Sequence, residues 1–327
     1  MGGKREKRRE RILQVGATLR IAPGTTVKLP GDFGSGQTDD VQNKRAGRKL
    51  LRTAVAEISD LQERLAAEDR RSLLVVLQAI DAGGKDSTIR NVFSGVNPAG
   101  VRVQSFKEPT DEELAHDYLW RYRQQLPAPG QIAVFNRSHY EEVLVVRVHP
   151  RLLEARGLSA EGDLSAVWRE RYREINAWEH QLSESGTTVV KLLLNISREE
   201  QRLRFLRRLD LPEKNWKFAA SDVRERAYWD DYQRAFSEMV SHTSTEWAPW
   251  YVIPADHKWF GRLATASIVL DALQRIDPRI PRVGAREREE LAAARAELIA
   301  EAPPGAPADP IAKRSGAHPP DGPSAGS

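Results

Sequence analysis

A glycine-rich segment with a lysine follows the first predicted strand of the chain. Residues 79–88 read AIDAGGKDST and lead into a helical pattern. Between a strand and a helix, glycines let backbone N–H groups approach a phosphate, the helix N-terminus adds positive potential, and Lys85 would reach the terminal phosphates. The match to the phosphate-loop pattern GxxxxGK(S/T) is imperfect, because Ala79 stands at the first glycine position and Asp86 follows the lysine. An ordinary strand-to-helix turn with a surface lysine is the alternative.

Asp81 lies inside this glycine-rich segment. A carboxylate beside a bound phosphate is repulsive unless a metal cation lies between the two groups or the carboxylate accepts a proton from the incoming group. The residue therefore predicts either a Mg²⁺ contact or a general base, and both interpretations stay open.

A second polar cluster follows the third predicted strand, where residues 135–142 read FNRSHYEE. In many phosphate-loop enzymes an acidic residue ends this strand and holds Mg²⁺. Here the corresponding residue is Asn136. The planar guanidinium of Arg137 suits a phosphate, although pairing with a neighbouring glutamate is an equally good interpretation.

A third cluster combines an arginine-rich helical segment with the sequence LDLPEKNWK at residues 209–217. Its arginines are Arg198, Arg202, Arg204, Arg207 and Arg208. Like charges four residues apart, such as Arg204 and Arg208, destabilise a helix by roughly 0.2–0.5 kcal/mol unless an anion lies between them. We interpret the segment as a lid that closes over a polyanion. A solvated basic face is the alternative.

Short apolar runs that alternate with helical patterns indicate the elements that carry these clusters. The predicted strands are residues 72–79, 101–106, 131–135, 187–194 and 250–253. A helix is predicted at 41–67, with Asp39 or Asp40 as its capping residue. Two more helices are predicted to begin with capping boxes, one of Thr110 with Glu113 and one of Ser197 with Glu200. This alternation predicts an α/β fold with a parallel sheet covered on both faces, whose ligands bind at the carboxyl ends of the strands.

Composition excludes several classes of protein. The 327 residues contain no cysteine, which excludes disulfides, thiolate metal sites and a cysteine nucleophile. No apolar run approaches the roughly 18 residues of a membrane span, and the basic start lacks a secretory pattern, so we expect a cytoplasmic protein without a membrane partner. With 50 basic and 46 acidic residues the net charge is only +4, which argues against a nucleic-acid coat unless the positive charge is concentrated.

The two ends differ from the middle in composition. Residues 1–40 are predicted to be a basic N-terminal extension, whose start at 4–11 would be a solvated disordered arm or would hold an anion. The main domain is predicted at 41–280. Residues 281–327 would comprise an exposed helix at 285–300 and, from Glu301 onward, a flexible tail rich in Pro, Gly and Ala.

Taken together, these residues resemble the family-2 polyphosphate kinases over about residues 41–278. The segments that carry the resemblance are, in order, DAGGKDSTIRNVFSGVNPAGVRVQSFKEPTDEEL, IAVFNRSHYEEVLVVRVHP, RLRFLRRLDLPEKNWKFAASD and YVIPADHKWFGR. The resemblance implies a three-layer α/β/α phosphate-loop fold with a helical lid at about 198–222, use of Mg²⁺ or Mn²⁺, and a homodimer or homotetramer. It implies phosphoryl transfer from inorganic polyphosphate to purine nucleotides, which forms ATP from ADP and also ADP from AMP. It implies the reverse reaction as well.

The resemblance also implies roles for individual residues. The catalytic residues would be Asp81, Lys85, Asn136 and Arg137. Asp81 would contact Mg²⁺ or orient the acceptor phosphate. Phosphate or polyphosphate binding falls to Gly83, Gly84, Asp86, Ser87, Lys107, Arg204, Arg208, Lys214 and Lys217. Nucleotide binding falls to Asn136, Glu141 and Asp222, while Trp216 is expected to pack.

Asn136 stands where many members of that family have aspartate, so a metal contact there would be weaker. Glu141 is the nearest carboxylate that would compensate. The sequence FNRSHYE resembles the class III subgroup, whose members phosphorylate both nucleoside mono- and diphosphates.

Two other functions stay open at this point. One is an ATP-dependent kinase of a nucleotide or another small molecule on the same fold. The other is a non-enzymatic module that binds polyanions or nucleic acid, although base-stacking aromatics are not interleaved with the basic residues and Asp81 would be unexplained. Direct phosphoryl transfer needs no histidine carrier, so we expect His116, His139 and His149 to be structural.

Overall fold

The computed structural model describes residues 2–38, 41–216 and 218–304. Its strands are β1 (Ser72–Gln78), β2 (Val101–Ser105), β3 (Ile132–Asn136), β4 (Thr187–Asn195) and β5 (Trp250–Pro254). Its α-helices are α1 (Gly2–Ala17), α2 (Lys44–Glu68), α3 (Lys85–Val92), α4 (Asp111–Leu114), α5 (Trp120–Arg123), α6 (Val145–Val148), α7 (Ser165–Glu184), α8 (Arg198–Asp210), α9 (Pro212–Asn215), α10 (Ala220–Glu225), α11 (Trp229–Thr243), α12 (Lys258–Ile276) and α13 (Ala285–Ala300). Short 3-10 helices lie at Pro98–Gly100, His139–Val143, Pro150–Arg156 and Arg226–Tyr228.

The five strands form one parallel sheet in the order β2-β3-β1-β4-β5. Each lies within one residue of its predicted bounds, so the predicted α/β fold with a parallel sheet is confirmed. All seven side chains of β1 are buried. Because consecutive side chains of a strand point to opposite faces, both faces of the sheet are covered at its centre. The chain leaves β1 in the middle of the carboxyl edge, between the ends of β3 and β4.

Capping side chains fix where the helices begin. The start predicted for α2 at Asp39 or Asp40, which both lie outside the described residues, is wrong, because the Asn43 side chain accepts from the Ala46 amide at 3.0 Å. The capping box that begins α4 is confirmed, with both reciprocal bonds between Thr110 and Glu113.

At α8 only half of the predicted capping box forms. The Ser197 hydroxyl accepts from the Glu200 amide at 3.0 Å. The Glu200 carboxylate instead accepts from Arg204 Nε at 2.7 Å. A charged guanidinium is a stronger partner than a backbone amide, which explains the difference.

The N-terminal residues are part of the main compact unit, which extends to Ile280. The disordered arm predicted at 4–11 is wrong, because these residues lie in α1, whose Ile12 and Val15 are buried. The Gly16 amide donates to Ser267 Oγ of α12 at 2.9 Å, and a Cβ at Gly16 would lie 2.7 Å from that oxygen. Lys7, Arg9 and Arg11 are exposed on the outer side of an amphipathic helix, and its apolar side joins the core.

The second unit begins at Pro281. Its helix α13 is confirmed at the predicted residues and has no buried side chain. The tail predicted from Glu301 lies outside the described residues from position 305 onward. In the part of the chain that the structure describes, no helix is both long and apolar enough to cross a membrane.

Candidate active site

The turn after β1 is a tight loop that only glycine fits at two positions. The Gly83 amide donates to the Ile80 carbonyl at 3.0 Å, and a Cβ on Gly83 would lie 2.4 Å from the Ala79 Cβ. Gly84 has a φ of +101°, in the region that favours glycine, and it precedes the first turn of α3. The first amides of a helix have no intrahelical acceptor, so this turn presents N–H donors beside the end of the sheet.

Lys85 is the first residue of α3 and is half-buried under the loop. Its Nζ donates to the Ala79 carbonyl at 2.8 Å. Burial, with the nearby charge of Arg137, lowers the pKa of Lys85 to about 8, although Asp81 and Glu141 oppose the shift. A phosphate that approached the ammonium would favour its charged form and raise that pKa again.

Asp81 and Arg137 form an ion pair across the carboxyl edge. Arg137 Nη2 lies 2.9 Å from Asp81 Oδ1, and both side chains remain partly exposed. Arg137 directly follows β3, has a φ of +63°, and donates its amide to the Leu77 carbonyl at 3.2 Å. This left-handed turn directs the guanidinium back toward the loop. The predicted pairing of Arg137 with a carboxylate occurs, but its partner is Asp81 instead of a glutamate in the same segment.

Asn136 is the last residue of β3 and contacts the first turn of α3. In the sheet register it lies opposite Leu77 of β1 and Ser105 of β2. Its Nδ2 donates to Asp86 Oδ1 at 3.0 Å and lies 3.2 Å from Ser105 Oγ. The amide therefore orients the carboxylate that follows the loop lysine.

Glu141 lies in the 3-10 helix after β3 and is partly buried. Burial raises its pKa, although the charges of Arg137 and Lys85 oppose the rise. The structure thus brings together the predicted residues Asp81, Lys85 and Glu141 with the end of β3.

A fully buried ionic network, which we call the Glu179–Lys191 network, holds the segment that carries Arg137 and Glu141. Lys191 Nζ of β4 donates to Glu179 Oε2 of α7 at 2.6 Å and to the Tyr140 hydroxyl at 2.9 Å, and also to the Thr243 carbonyl. His139 Nε2 lies 3.1 Å from Glu179 Oε1, which also accepts from the Tyr140 hydroxyl at 2.8 Å. This network was not predicted from the sequence. The one sign of it there is Lys191, a lysine inside the apolar run TTVVKLLL.

Charge pairing sets the ionisation of this network. Burial alone would raise the pKa of Glu179, but the Lys191 ammonium and His139 hold it below its ordinary value. Burial lowers the pKa of His139 although Glu179 opposes the shift. The carboxylate therefore stays ionised, and the network ties α7, β4 and the strand-end segment together.

The predicted lid residues occupy different environments. Lys214 is exposed, and Arg208 is 25% exposed with its guanidinium 3.8 Å from Asp222. Trp216 is 77% exposed, so the expectation that it packs is wrong. Its Nε1 donates to the Glu213 carbonyl at 3.1 Å. Lys217 lies outside the described residues.

Arg204, for which the resemblance implies phosphate binding, is buried against the phosphate loop. It is 5% exposed, and its guanidinium donates to the carbonyls of Ala82 and Gly83. The sequence showed an arginine on a helix but not which side of that helix meets the sheet.

Two further predicted phosphate ligands are Lys107, which follows β2, and Ser87, in the first turn of α3. Lys107 has an exposed side chain, and its carbonyl accepts from the buried Arg121 at 2.9 Å. Ser87 Oγ donates to the Gly84 carbonyl at 3.0 Å, which closes the first turn of α3. The lysine is therefore available to an anion, whereas the hydroxyl proton is engaged within the loop.

The histidines that were expected to be structural, His116, His139 and His149, contact other side chains of the protein. His139 belongs to the Glu179–Lys191 network, and His149 Nε2 lies 2.7 Å from Glu225 Oε1. His116 stacks on Trp120 with ring centroids 4.2 Å apart.

The residues present fit a magnesium ion that arrives with its substrate. Among the described residues no group of three or more His, Asp and Glu side chains could hold a metal by itself. Mg²⁺ characteristically binds through one or two carboxylates together with substrate phosphates and water. Asp81 is 34% exposed and pairs with Arg137 through Oδ1, which suits that mode of binding.

Comparisons with known proteins point to one family. The family model of Polyphosphate kinase 2 (PPK2) matches residues 41–281. An ADP-polyphosphate phosphotransferase of Rhodopseudomonas palustris is 44% identical over 282 residues, covering 86% of this chain and 97% of that protein. An AMP/ADP-polyphosphate phosphotransferase of Meiothermus ruber is 48% identical over 238 residues, covering 73% of this chain and 85% of that protein.

A solved structure shows the same fold. The crystal structure of Polyphosphate Kinase 2 from Arthrobacter aurescens superposes with a TM-score of 0.77 at 40% identity, covering 85% of this chain and 96% of that one. The match to the family model extends over most of the chain, and both relatives align over most of their own length. The chain therefore belongs to the polyphosphate kinase 2 family.

Proposed function

We propose that this protein transfers the terminal phosphoryl group of inorganic polyphosphate to ADP, forming ATP, that AMP is a second acceptor, and that the reaction is reversible. The observation that carries the proposal is the cluster of Lys85, Asp81 and Arg137 beside the N-terminus of α3. The activities for which the two relatives are named support the choice of polyphosphate and of adenine nucleotides.

Transfer would be direct. An oxygen of the acceptor's terminal phosphate attacks the terminal phosphorus of polyphosphate, the bridging P–O bond breaks, and the shortened chain leaves with the bonding electrons. Such a reaction leaves positioning and charge neutralisation as the protein's main contributions. Lys85, the loop amides and Arg137 would neutralise the transferred group, and no covalent intermediate with the protein is needed.

Asp81 would act on the acceptor side of the site. Its carboxylate is held by Arg137 at 2.9 Å, which fixes where an acceptor phosphate or a metal would meet it. Mg²⁺, when bound by Asp81 and the substrate phosphates, would offset negative charge between donor and acceptor. Mn²⁺ would serve the same role.

Recognition of the nucleotide would fall to residues around the end of β3 and the lid. Asn136 and Glu141 lie near the loop, and Asp222 of α10 lies within 3.8 Å of Arg208. Exposed cations such as Lys107 and Lys214 would bind polyphosphate without reading any sequence, so affinity should fall as salt rises. Assembly as a homodimer or homotetramer in the cytoplasm is part of the proposal, and light scattering tests the assembly.

A matrix of donors and acceptors tests the proposal. Purified protein with Mg²⁺ is given polyphosphate or ATP as donor and AMP, ADP, GMP or GDP as acceptor, and the products are separated by chromatography. Formation of ATP from polyphosphate and ADP is expected. Activity with ATP alone as donor would instead establish an ATP-dependent kinase, and the absence of any transfer with every divalent metal would leave only a binding function.

A further inference from the structure

Helix α8 presents two buried donors to the inner side of the phosphate loop. Gln201 and Arg204 lie three residues apart, so they face the same side of the helix, and they are 2% and 5% exposed. Gln201 Nε2 donates to the Asp81 carbonyl at 3.0 Å. Arg204 Nη1 donates to the Ala82 carbonyl at 3.1 Å and to the Gly83 carbonyl at 2.7 Å. Three consecutive carbonyls of the loop are therefore held from α8.

The remaining donors of Arg204 are also engaged. Its Nη2 donates to the Ala255 carbonyl and lies 3.5 Å from the Asp256 carbonyl, both just after β5. Its Nε donates to Glu200 Oε1 at 2.7 Å. A guanidinium has five N–H donors, and these contacts with the loop, β5 and Glu200 account for all of them. Arg204 thus joins the lid helix to the carboxyl ends of β1 and β5.

These bonds set the direction in which the loop amides point. The Ile80 carbonyl accepts from the Gly83 amide and the Ala79 carbonyl accepts from Lys85, so every carbonyl from 79 to 83 has a donor within the protein. In a trans peptide the N–H points opposite to the preceding carbonyl. Holding the carbonyls of residues 81 and 83 against α8 therefore turns the amides of Ala82 and Gly84 away from α8, toward the side where an anion would bind.

We propose that Gln201 and Arg204 are positioning residues that hold the phosphate loop in its anion-binding shape, and that Arg204 does not itself bind polyphosphate. The segment that follows the lid takes part, because Arg226 Nη1 donates to Gln201 Oε1 at 2.6 Å. The expected loss of turnover in variants of these two residues rests on the proposed function. The expected loosening of the loop does not, because it is measured on the protein without substrate.

The test compares Arg204→Gln and Gln201→Ala with Arg173→Gln. Arg173 lies on α7, is 71% exposed and pairs with Glu170 three residues before it, so its loss should change little. Hydrogen exchange of the Gly83 and Thr88 amides is measured without substrate, since these amides close the loop through the carbonyls of Ile80 and Gly84. The kcat, the KM for polyphosphate and the salt dependence of that KM are then measured for each variant.

Faster exchange of these two amides, by about tenfold or more, is expected in Arg204→Gln, and a smaller increase in Gln201→Ala. The kcat of Arg204→Gln should fall on the order of 100-fold, as for a misplacement of about 1 Å, with the salt dependence unchanged. Gln201→Ala loses one hydrogen bond to the loop, so its kcat should fall about tenfold or less, and it serves as the test if Arg204→Gln does not fold.

Unchanged loop exchange in the folded variants would overturn the proposal. So would an Arg204→Gln variant with the original kcat, a raised KM for polyphosphate and a weaker salt dependence, because that result describes a direct phosphate contact. If the unmodified protein makes no ATP from polyphosphate, the proposed function fails, while the exchange measurement still decides the role of the two residues.

Discussion

The Asn136 side chain donates from Nδ2 to Asp86 Oδ1 at 3.0 Å, which links the end of β3 to the first turn of α3. An ionised carboxylate can only accept, so Asp86 needs a donor at this position. Asn136 therefore has a role beyond that of a weak metal ligand. It fixes the carboxylate next to Lys85.

Replacing Asn136 with aspartate should place two carboxylates against each other. We expect Asn136→Asp to lower kcat/KM for ADP by roughly 10- to 100-fold, the equivalent of one lost hydrogen bond to a charged group. The double variant Asn136→Asp with Asp86→Asn restores an amide facing a carboxylate and should recover most of that loss. Steady-state kinetics of both variants check this, and a double variant that is worse than either single change would exclude the coupling.

Binding of polyphosphate should weaken above the pKa of Lys85, which is lowered to about 8. The free protein loses the ammonium charge as the pH rises through that value. In the complex, the bound phosphate keeps Lys85 protonated, so binding above that pH takes up a proton. The dissociation constant measured by calorimetry without nucleotide should rise between pH 7.5 and 9.5, by at most about tenfold per pH unit. Lys85→Arg stays charged and should show a flat profile, and an equal slope in both proteins would rule out this lysine.

Removing one partner of the Glu179–Lys191 network should be costly. Lys191→Met leaves the Glu179 carboxylate buried without its cation, and both side chains are 0% exposed in the intact protein. We expect the free energy of unfolding to fall by about 3–5 kcal/mol in denaturant titrations. Lys191→Met combined with Glu179→Gln removes the charge as well and should be more stable than the single variant. The opposite order would mean that the pair is not the source of the cost.

The packing of α1 predicts a stability effect far from the site. Ile12 is fully buried, so Ile12→Ala should lower the free energy of unfolding by about 2–5 kcal/mol. Lys7→Ala, on the exposed side of the same helix, should change it by less than about 0.5 kcal/mol. Thermal or chemical unfolding of both variants gives the answer, and equal stabilities would restore the idea of a disordered arm.

The sequence predicted the sheet well because each strand is a short apolar run rich in β-branched residues and bounded by turn residues. The loop around Lys85 was equally visible, since its glycines and lysine lie between a strand and a helix. In contrast, the basic residues of α1 obscured the spacing of Ile12 and Val15. A local signal was enough in the first two cases and misleading in the third.

Contacts between distant segments were beyond local patterns. Arg204 and Arg208 look alike in the sequence, yet one faces the loop and the other lies beside Asp222. The side of α8 that meets the site depends on how the helix packs against the phosphate loop and the residues after β5. The pair of Glu179 and Lys191 likewise forms only when α7 lies against β4.

The initial rate of ATP formation from polyphosphate and ADP, measured for the unmodified protein and for Lys85→Ala, decides whether the loop lysine takes part in phosphoryl transfer. ATP should appear with an equal loss of phosphate units from polyphosphate. Lys85→Ala should be slower by a factor of about 100 or more while its circular dichroism is unchanged. No ATP from the unmodified protein, or a near-normal rate from Lys85→Ala, would contradict that role of the lysine.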